Sequence, residues 1–212
     1  MLSDMTQVLD GTNSFTRGYH ATQRPCPTVV IITGPPASGK TTLARELARQ
    51  LHLPLLTKDL FKETLFDKLG WSDREWSRRL GMASMALLFR SAGALLEANQ
   101  SMLLESNFYA AMDTGPLQEL ADVYGCRYIQ VVCTASAATL EQRYRQRSET
   151  GERHPGHTQS ESLDETVSRL LAGRWDALDL TGSVIRVDTD AEVDVNTVLS
   201  AIRQGMETRQ RS

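Results

Sequence analysis

The chain of 212 residues has few cysteines, no long apolar run and little net charge. Its three cysteines, Cys26, Cys126 and Cys133, lack the spacing of a disulfide framework or a zinc site, which favours a reducing, cytosolic setting. No apolar run approaches membrane-spanning length, and the first residues lack the pattern of a signal peptide, so we expect no membrane association. A net charge of −3 argues against a general affinity for nucleic acid.

What is present suits one globular domain with a full core: 41% of the residues are hydrophobic and 23% are charged. Residues 1–27 are polar and aperiodic, and we expect a flexible N-terminal arm. A helix packed on the domain is the alternative for this arm, with little periodicity to support it. Residues 28–212 are predicted to form a single domain.

The stretch from Gly34 to Thr41 has the spacing of a phosphate-binding loop: Gly, four free positions, then Gly-Lys-Thr. It follows a β-branched apolar run, residues 28–33, and precedes leucines repeated every four residues, so a buried strand and an amphipathic helix flank it. Such a loop binds phosphate through its N–H groups, and Lys40 can reach the outer phosphates of a nucleoside triphosphate while Thr41 holds Mg²⁺. The flanks disfavour the alternative, an accidental glycine-rich turn. The predicted nucleotide-binding residues are Gly34, Pro35, Pro36, Ala37, Ser38, Gly39, Lys40, Thr41 and Thr42.

Acidic side chains follow the next two predicted strands. Asp59 comes after the strand at residues 53–57, and ligands of open α/β sheets bind beyond the carboxyl ends of strands, so Asp59 could face the phosphates. The residues alone favour a helix N-cap there, and both roles can hold at once. At the end of the third strand, residues 101–108, Glu105 could hold Mg²⁺ and Asn107 could touch substrate. A merely polar strand end is the alternative.

A long helix is predicted from a capping box, Ser72 to Glu75, to about Ala98. Trp71 and Trp76 near its start could line a pocket or pack in the core, as could Tyr109 beyond the third strand. The spacing of three and four predicts a buried stripe, with its methionines as core filler: Met82, Met85, Phe89, Ala92 and Leu96.

An arginine-rich segment follows the fourth strand. Between Arg143 and His157, four arginines face two glutamates, which predicts an anion clamp on an otherwise acidic chain. Glycines at 151 and 156 suit a closing lid at about residues 148–162. A metal site at His154 and His157 is disfavoured because further ligands are lacking. These histidines are expected to bind phosphate or to fix the loop.

Five strands alternating with helices predict an α/β fold with a mostly parallel sheet covered on both faces. With the phosphate-binding loop after the first strand and arginines before the last, the chain resembles the P-loop kinase family within the P-loop NTPases. It is similar to chloramphenicol phosphotransferase, polynucleotide kinase, zeta-toxin kinases and bacterial AAA-type kinases. The likeness spans residues 28–189 and is carried by the segments 34–41, 55–59, 104–108, 143–157 and 187–189.

The resemblance implies the strand order 2-3-1-4-5 and transfer of the γ-phosphoryl group of ATP, with Mg²⁺, to a hydroxyl of a small molecule. Asp59 matches the position of the general base in these relatives. Lys40 and the lid arginines Arg143, Arg147 and Arg153 would neutralise charge during transfer. Thr41 and Glu105 would serve the metal, although several relatives have Asp where this chain has Glu105.

Other functions remain open at this point. An ATPase or nucleotide switch acting on a protein partner is disfavoured because residues 102–106 lack the Asp-Glu pair of hydrolytic motors. A kinase acting on a polynucleotide 5′-hydroxyl is disfavoured because the basic residues are confined to the lid. A nucleotide sugar or an antibiotic is also a conceivable acceptor.

Overall fold

The computed structural model describes residues 26–150, 154–158, 167–168 and 175–207. Residues 1–25, Arg153 and about half of the predicted lid lie outside these ranges. The strands are β1 Thr28–Thr33, β2 Leu55–Thr57, β3 Met102–Glu105, β4 Arg127–Thr134 and β5 Gly182–Asp188. The helices are α1 Lys40–Leu51, α2 Lys58–Leu69, α3 Arg74–Glu97, α4 Ala110–Tyr124, α5 Ala137–Glu149, the short α6 Pro155–Thr158, and α7 Val195–Glu207.

The five strands form one parallel sheet in the order β2-β3-β1-β4-β5, which confirms the predicted topology. β1 is the central strand and is buried along its whole length, as its β-branched run predicts. Ile32 of β1 and Thr57 of β2 both pair with Glu105 of β3. The loops after these three strands therefore leave the sheet at the same edge, where ligands of such folds bind.

Two apolar clusters, one on each face of the sheet, hold the helices. Leu43 and Leu47 of α1 pack with Ile202 of α7 in one cluster. Leu88 of α3 and Leu117 of α4 belong to the other. The prediction of helices on both faces is therefore confirmed, and burial of these side chains is what fixes the helices on the sheet.

The predicted buried stripe of α3 is confirmed at Ala92 and Leu96, and Met85 and Phe89 pack partly buried against the same cluster. The buried residues of α3 include Leu88, Ala92 and Leu96 but not Met82, which is 54% exposed. The interpretation of Met82 as core filler is therefore wrong. By length and composition alone α3 could span a membrane, but core helices of soluble proteins share that property, and its buried face here packs against the sheet.

The start of α3 also differs by one residue from the predicted capping box. Asp73, not Ser72, is the N-cap, and its carboxylate accepts the N–H of Trp76 at 2.8 Å. Glu75 pairs with Arg79 one turn later at 2.6 Å instead of reaching back to the cap. Both Ser and Asp are good caps, so the sequence does not choose between neighbours.

Candidate active site

The phosphate-binding loop has a backbone that its sequence requires. Gly34 has φ of 146°, and a Cβ there would collide with the carbonyl oxygen of Cys133 in β4. Gly39, in the left-handed region, is the N-cap of α1; it supplies no side-chain cap, and the first turn of α1 has no acidic residue. The first N–H groups of α1 thus have no side-chain acceptor there, and a phosphate can take that place.

Lys40 lies within this loop and is only 8% exposed. Its Nζ donates to the carbonyl oxygen of Pro35 at 3.1 Å. Burial lowers the pKa of Lys40, and the nearby carboxylates of Glu105 and Asp59 oppose that shift. The ammonium group therefore stands within electrostatic reach of both predicted site acids, at the mouth of the loop.

Glu105 and Thr41 meet at the edge of the sheet. Glu105 is 2% exposed, and the Thr41 hydroxyl beside it lowers the pKa of its carboxyl group. Burial raises the pKa of Glu105, while Lys40 acts in the opposite direction. Adjacent hydroxyl and carboxylate oxygens beside the phosphate loop are ligands that suit Mg²⁺, so this pair fits the predicted metal site.

Asp59 belongs to the first turn of α2 but does not cap it. Thr57 is the N-cap, and its Oγ1 accepts the N–H of Leu60 at 3.1 Å. The alternative interpretation of Asp59 as an N-cap is therefore wrong. The Asp59 side chain instead lines a cavity that it shares with Lys40 and Thr41.

That cavity has a volume of about 840 Å³ and lies between the phosphate loop, α2, α3 and the start of α4. Asn107, which follows β3, lines it, and the Asn107 Oδ1 atom is buried with no hydrogen-bond partner among the described residues. Tyr109 also lines it and contacts Trp175 with ring centroids 5.4 Å apart. Trp71 and Trp76 are not among the lining residues.

The predicted lid arginines have different surroundings. Arg147 lines the cavity. Arg143 donates to the carbonyl oxygen of Thr189 at 2.7 Å and to its Oγ1 at 3.3 Å, and so ties α5 to the end of β5. Arg153 lies outside the described residues. Of the two predicted lid arginines on α5, Arg147 thus lies at the cavity and Arg143 is bound to Thr189.

The short helix α6 and His154 just before it dock on α2. His154 stacks on Phe66, with ring centroids 5.2 Å apart, and its Nε2 lies 3.0 Å from Asp67 Oδ1. His157 meets the same ring edge-on, at 5.3 Å. This geometry supports their role in fixing the loop, and the described residues contain no group of three or more potential His, Cys, Asp or Glu metal ligands.

Sequence reasoning missed several residues of the cavity. Lys58 and Lys62 on α2 and Arg74 and Arg78 on α3 line it, each pair one turn apart. Their four-residue spacing is visible in the sequence, but exposed charges at helical spacing normally form a solvated face. Three further residues also line the cavity. Met85 was interpreted as core filler, Asp113 as the start of a helix, and Trp175 was not considered.

Comparison with known proteins supports the same interpretation. A family model described as an AAA domain matches residues 29–172. The crystal structure of a candidate kinase from Chloroflexus aurantiacus j-10-fl is 39% identical over 86% of this chain and 99% of that chain, with a TM-score of 0.80. Shikimate kinase from Acinetobacter baumannii, solved with shikimate, has a TM-score of 0.51 at 16% identity, covers 88% of this chain and 96% of that chain, and shows the fold alone.

Matches to curated proteins are short. Cytidylate kinase of Pyrobaculum islandicum is 56% identical over 43 residues, which are 20% of this chain and 23% of that protein. The chain thus matches about a quarter of the length of this curated relative. The family model, in contrast, covers more than half of the chain, and the Chloroflexus protein is matched over almost its whole length. On this evidence, and with the loop, sheet order and cavity described above, the chain belongs to the AAA-domain family of P-loop kinases.

Proposed function

We propose that this kinase transfers the γ-phosphoryl group of ATP to a hydroxyl of a small-molecule acceptor, with Asp59 as general base. The observation that carries the proposal is the position of Asp59, which lines one cavity with Lys40 and Thr41 and does not serve as the cap of α2. The three free cysteines are consistent with a cytoplasmic protein.

The chemistry follows from this arrangement. The Asp59 carboxylate orients the acceptor hydroxyl and takes its proton as the oxygen attacks the γ-phosphorus and ADP leaves. Lys40 and Arg147 neutralise charge on the phosphoryl oxygens, which is the main demand of phosphoryl transfer. Thr41 and Glu105 would hold Mg²⁺, which supplies further charge neutralisation when it is bound.

A second candidate acceptor is the phosphate group of a nucleotide, which the short matches to cytidylate kinases favour. Against it, a carboxylate facing an acceptor phosphate would repel it, whereas a hydroxyl benefits from a base at the same place. Asp59 therefore favours the hydroxyl.

The test is a screen of hydroxyl compounds and CMP, following ADP release with ATP and Mg²⁺ and identifying the product by mass. In the Asp59→Asn variant we expect kcat with the hydroxyl acceptor to fall by about 10² to 10⁴, the usual contribution of a general base, with ADP affinity nearly unchanged. Asp122→Asn, on the exposed side of α4, is the matched control. Normal turnover by Asp59→Asn, or phosphorylation of CMP alone, would contradict the proposal.

A further inference from the structure

The lining of the cavity changes character along α3. Before Gly81, the lining residues of this helix are polar: Arg74, Ser77 and Arg78. Two lysines of α2 also line the cavity, so the prediction that basic residues are confined to the lid is wrong. After Gly81, the α3 residues that line the cavity are all apolar: Met82, Met85, Ala86 and Phe89. The helix thus gives the cavity a polar side and an apolar side.

The apolar side lies next to the groups proposed to react. Met85 Sδ accepts a hydrogen bond from Ser106 Oγ at 3.8 Å, and Ser106 directly follows β3. Thr57, at the end of β2, pairs with Glu105 at the end of β3, and Asp59 comes two residues later. Met85 and Asp59 therefore both stand at the edge of the sheet where β2 and β3 end.

The polar side lies farther along both helices. Lys62, about one turn beyond Asp59 on α2, donates to Ser77 Oγ on α3 at 3.0 Å. Ser77 precedes Met85 by eight residues, which correspond to about 12 Å of helix. An acceptor whose hydroxyl meets Asp59 therefore contacts the apolar side first.

Four large apolar side chains form what we call the apolar wall of the cavity: Met82, Met85, Phe89 and Met112. Met82 is 54% exposed, and Met112, in the first turn of α4, is 65% exposed. Met85 and Phe89 line the cavity while packing partly buried against the cluster on the sheet. Thioether and ring surface exposed in a concave site is unfavourable in water, and an apolar ligand removes it from water.

The polar residues beside this wall provide little for a polyol to bind. Asp113 is 6% exposed, and its Oδ2 accepts the N–H of Tyr109 at 2.7 Å. The Oδ1 atom of Asn107 is buried, and the Tyr109 ring contacts that of Trp175. A sugar or another polyol would place hydroxyls against thioethers and rings that pair with them poorly, and buried polar groups without partners are costly.

We propose that the acceptor carries its reacting hydroxyl on an apolar, ring-containing body that packs against the apolar wall. The hydroxyl part of this statement rests on the proposed function. An aromatic ring matches the wall because thioether sulfur atoms and aromatic side chains both make favourable contacts with rings. Methionine side chains adapt to the outline of a ligand, so several aryl alcohols should fit.

The test measures binding without transfer, on protein saturated with ADP and Mg²⁺ so that the phosphate loop is filled. Naphthylmethanol, its methyl ether and inositol are titrated by calorimetry, as the aryl alcohol, the same body without the hydroxyl, and a polyol. We expect both naphthyl compounds to bind at least about tenfold more tightly than inositol, because apolar contact supplies most of the affinity.

Two variants locate the binding at the wall. Met82→Gln and Met112→Gln replace a thioether with an amide of similar length at exposed positions, and each should weaken naphthylmethanol binding by at least about fivefold. Leu87→Gln on α3 and Val123→Gln on α4 are the matched controls. Both change an exposed apolar residue that is not among the described lining residues, so the affinity should stay unchanged.

Equal binding of inositol and naphthylmethanol, or absence of binding by both naphthyl compounds, would overturn the inference. Unchanged affinity in Met82→Gln and Met112→Gln, or equal losses in Met82→Gln and Leu87→Gln, would overturn it as well.

The proposed reaction is tested separately. Asp59→Asn should bind the methyl ether as wild type does, since the ether has no hydroxyl for Asp59 to hold. Binding of the naphthyl compounds without phosphorylation of any hydroxyl compound contradicts the reaction alone. Efficient phosphorylation of inositol or another polyol contradicts the apolar acceptor alone.

Discussion

At the scale of single residues, the carboxyl group of Asp113 is buried, which destabilises its charged form. It is 6% exposed, and burial raises its pKa, while the N–H of Tyr109 and the charge of Lys58 act in the opposite direction. Because the folded-state pKa lies above the unfolded-state value, the native state binds this proton more tightly. The stability that Asp113 contributes is therefore present below the ordinary Asp pKa and is lost as the pH rises through the raised one.

We expect Asp113→Asn to raise the melting temperature relative to wild type more at pH 7 than at pH 4. The amide removes the buried charge, and its oxygen can still accept the Tyr109 N–H. Thermal unfolding of both proteins at the two pH values measures the effect. Asp122→Asn, on the same helix but exposed, is the control, and a difference for Asp113→Asn that does not change with pH would contradict the expectation.

The residue scale is also where the sequence alone was weakest. The phosphate loop could be identified because its glycines, lysine and threonine satisfy requirements that few other residues meet. The choice between Thr57 and Asp59 as the cap of α2 could not be made, because both are good caps two positions apart. If Asp59 were the cap, its carboxylate would be bound to the backbone and could not act as a general base. The proposal of Asp59 as the base therefore depends on the tertiary structure, which the local sequence does not determine.

At the scale of elements, α3 shows why apolar spacing is ambiguous. Its sequence has apolar residues on more than one face, and one face packs on the sheet while Met82, Met85 and Phe89 line the cavity. A core face and the wall of a ligand cavity favour the same residue types and the same period. The helix could therefore be predicted from the sequence, but not which of its faces packs in the core and which lines the cavity.

The contact between α6 and α2 gives a prediction at this scale. A Cβ on Gly156 would stand 2.7 to 2.9 Å from ring atoms of Phe66, closer than carbon atoms approach without displacement. We expect Gly156→Ala to push α6 off α2, to open the cavity to water and to raise ATP hydrolysis in the absence of acceptor, because closure excludes water. Acceptor-free ADP release measures this.

The double variant Phe66→Leu/Gly156→Ala tests whether steric contact with Phe66 causes the effect of Gly156→Ala. The smaller side chain should make room for the methyl group and bring acceptor-free hydrolysis of the double variant below that of Gly156→Ala. Gly115→Ala, on α4 where no atom lies within 4 Å of the added Cβ, is the control. If the double variant hydrolyses ATP as fast as Gly156→Ala, steric contact with Phe66 is not the cause.

At the scale of the molecule, the sheet order was predictable and the cavity was not. The order followed from the alternation of strands and helices and from the family resemblance, and each strand carried its own apolar signal. The cavity instead collects side chains from Pro36 to Trp175, which only the tertiary fold brings together. The helix α3 supplies eight of the lining residues at helical spacing, but a core face has the same spacing, and the other lining residues come from distant parts of the chain.

Gln130 connects the sheet to the cavity wall and supplies the last prediction. It lies in β4 with 0% exposure, its Nε2 donates to Leu178 O at 3.0 Å, and its Oε1 accepts the Leu178 N–H at 2.7 Å. Leu178 is three residues after Trp175, which lines the cavity. This clamp fixes the chain that carries Trp175 to the central layer of the molecule.

Gln130→Leu keeps the approximate volume but leaves the N–H and carbonyl groups of Leu178 buried without their partner. Because an unsatisfied buried group costs about 1–3 kcal/mol, we expect the free energy of unfolding to fall by about 2–4 kcal/mol in urea titrations. ADP affinity should stay constant, since the phosphate loop is untouched, while the KM for the acceptor that the hydroxyl screen identifies rises as Trp175 loosens. Gln118→Leu, at an exposed position on α4, should change stability by less than about 0.5 kcal/mol. An equal loss of affinity for ADP and for the acceptor in Gln130→Leu would mean that the sheet itself is disturbed and that the clamp does not act locally on the cavity wall.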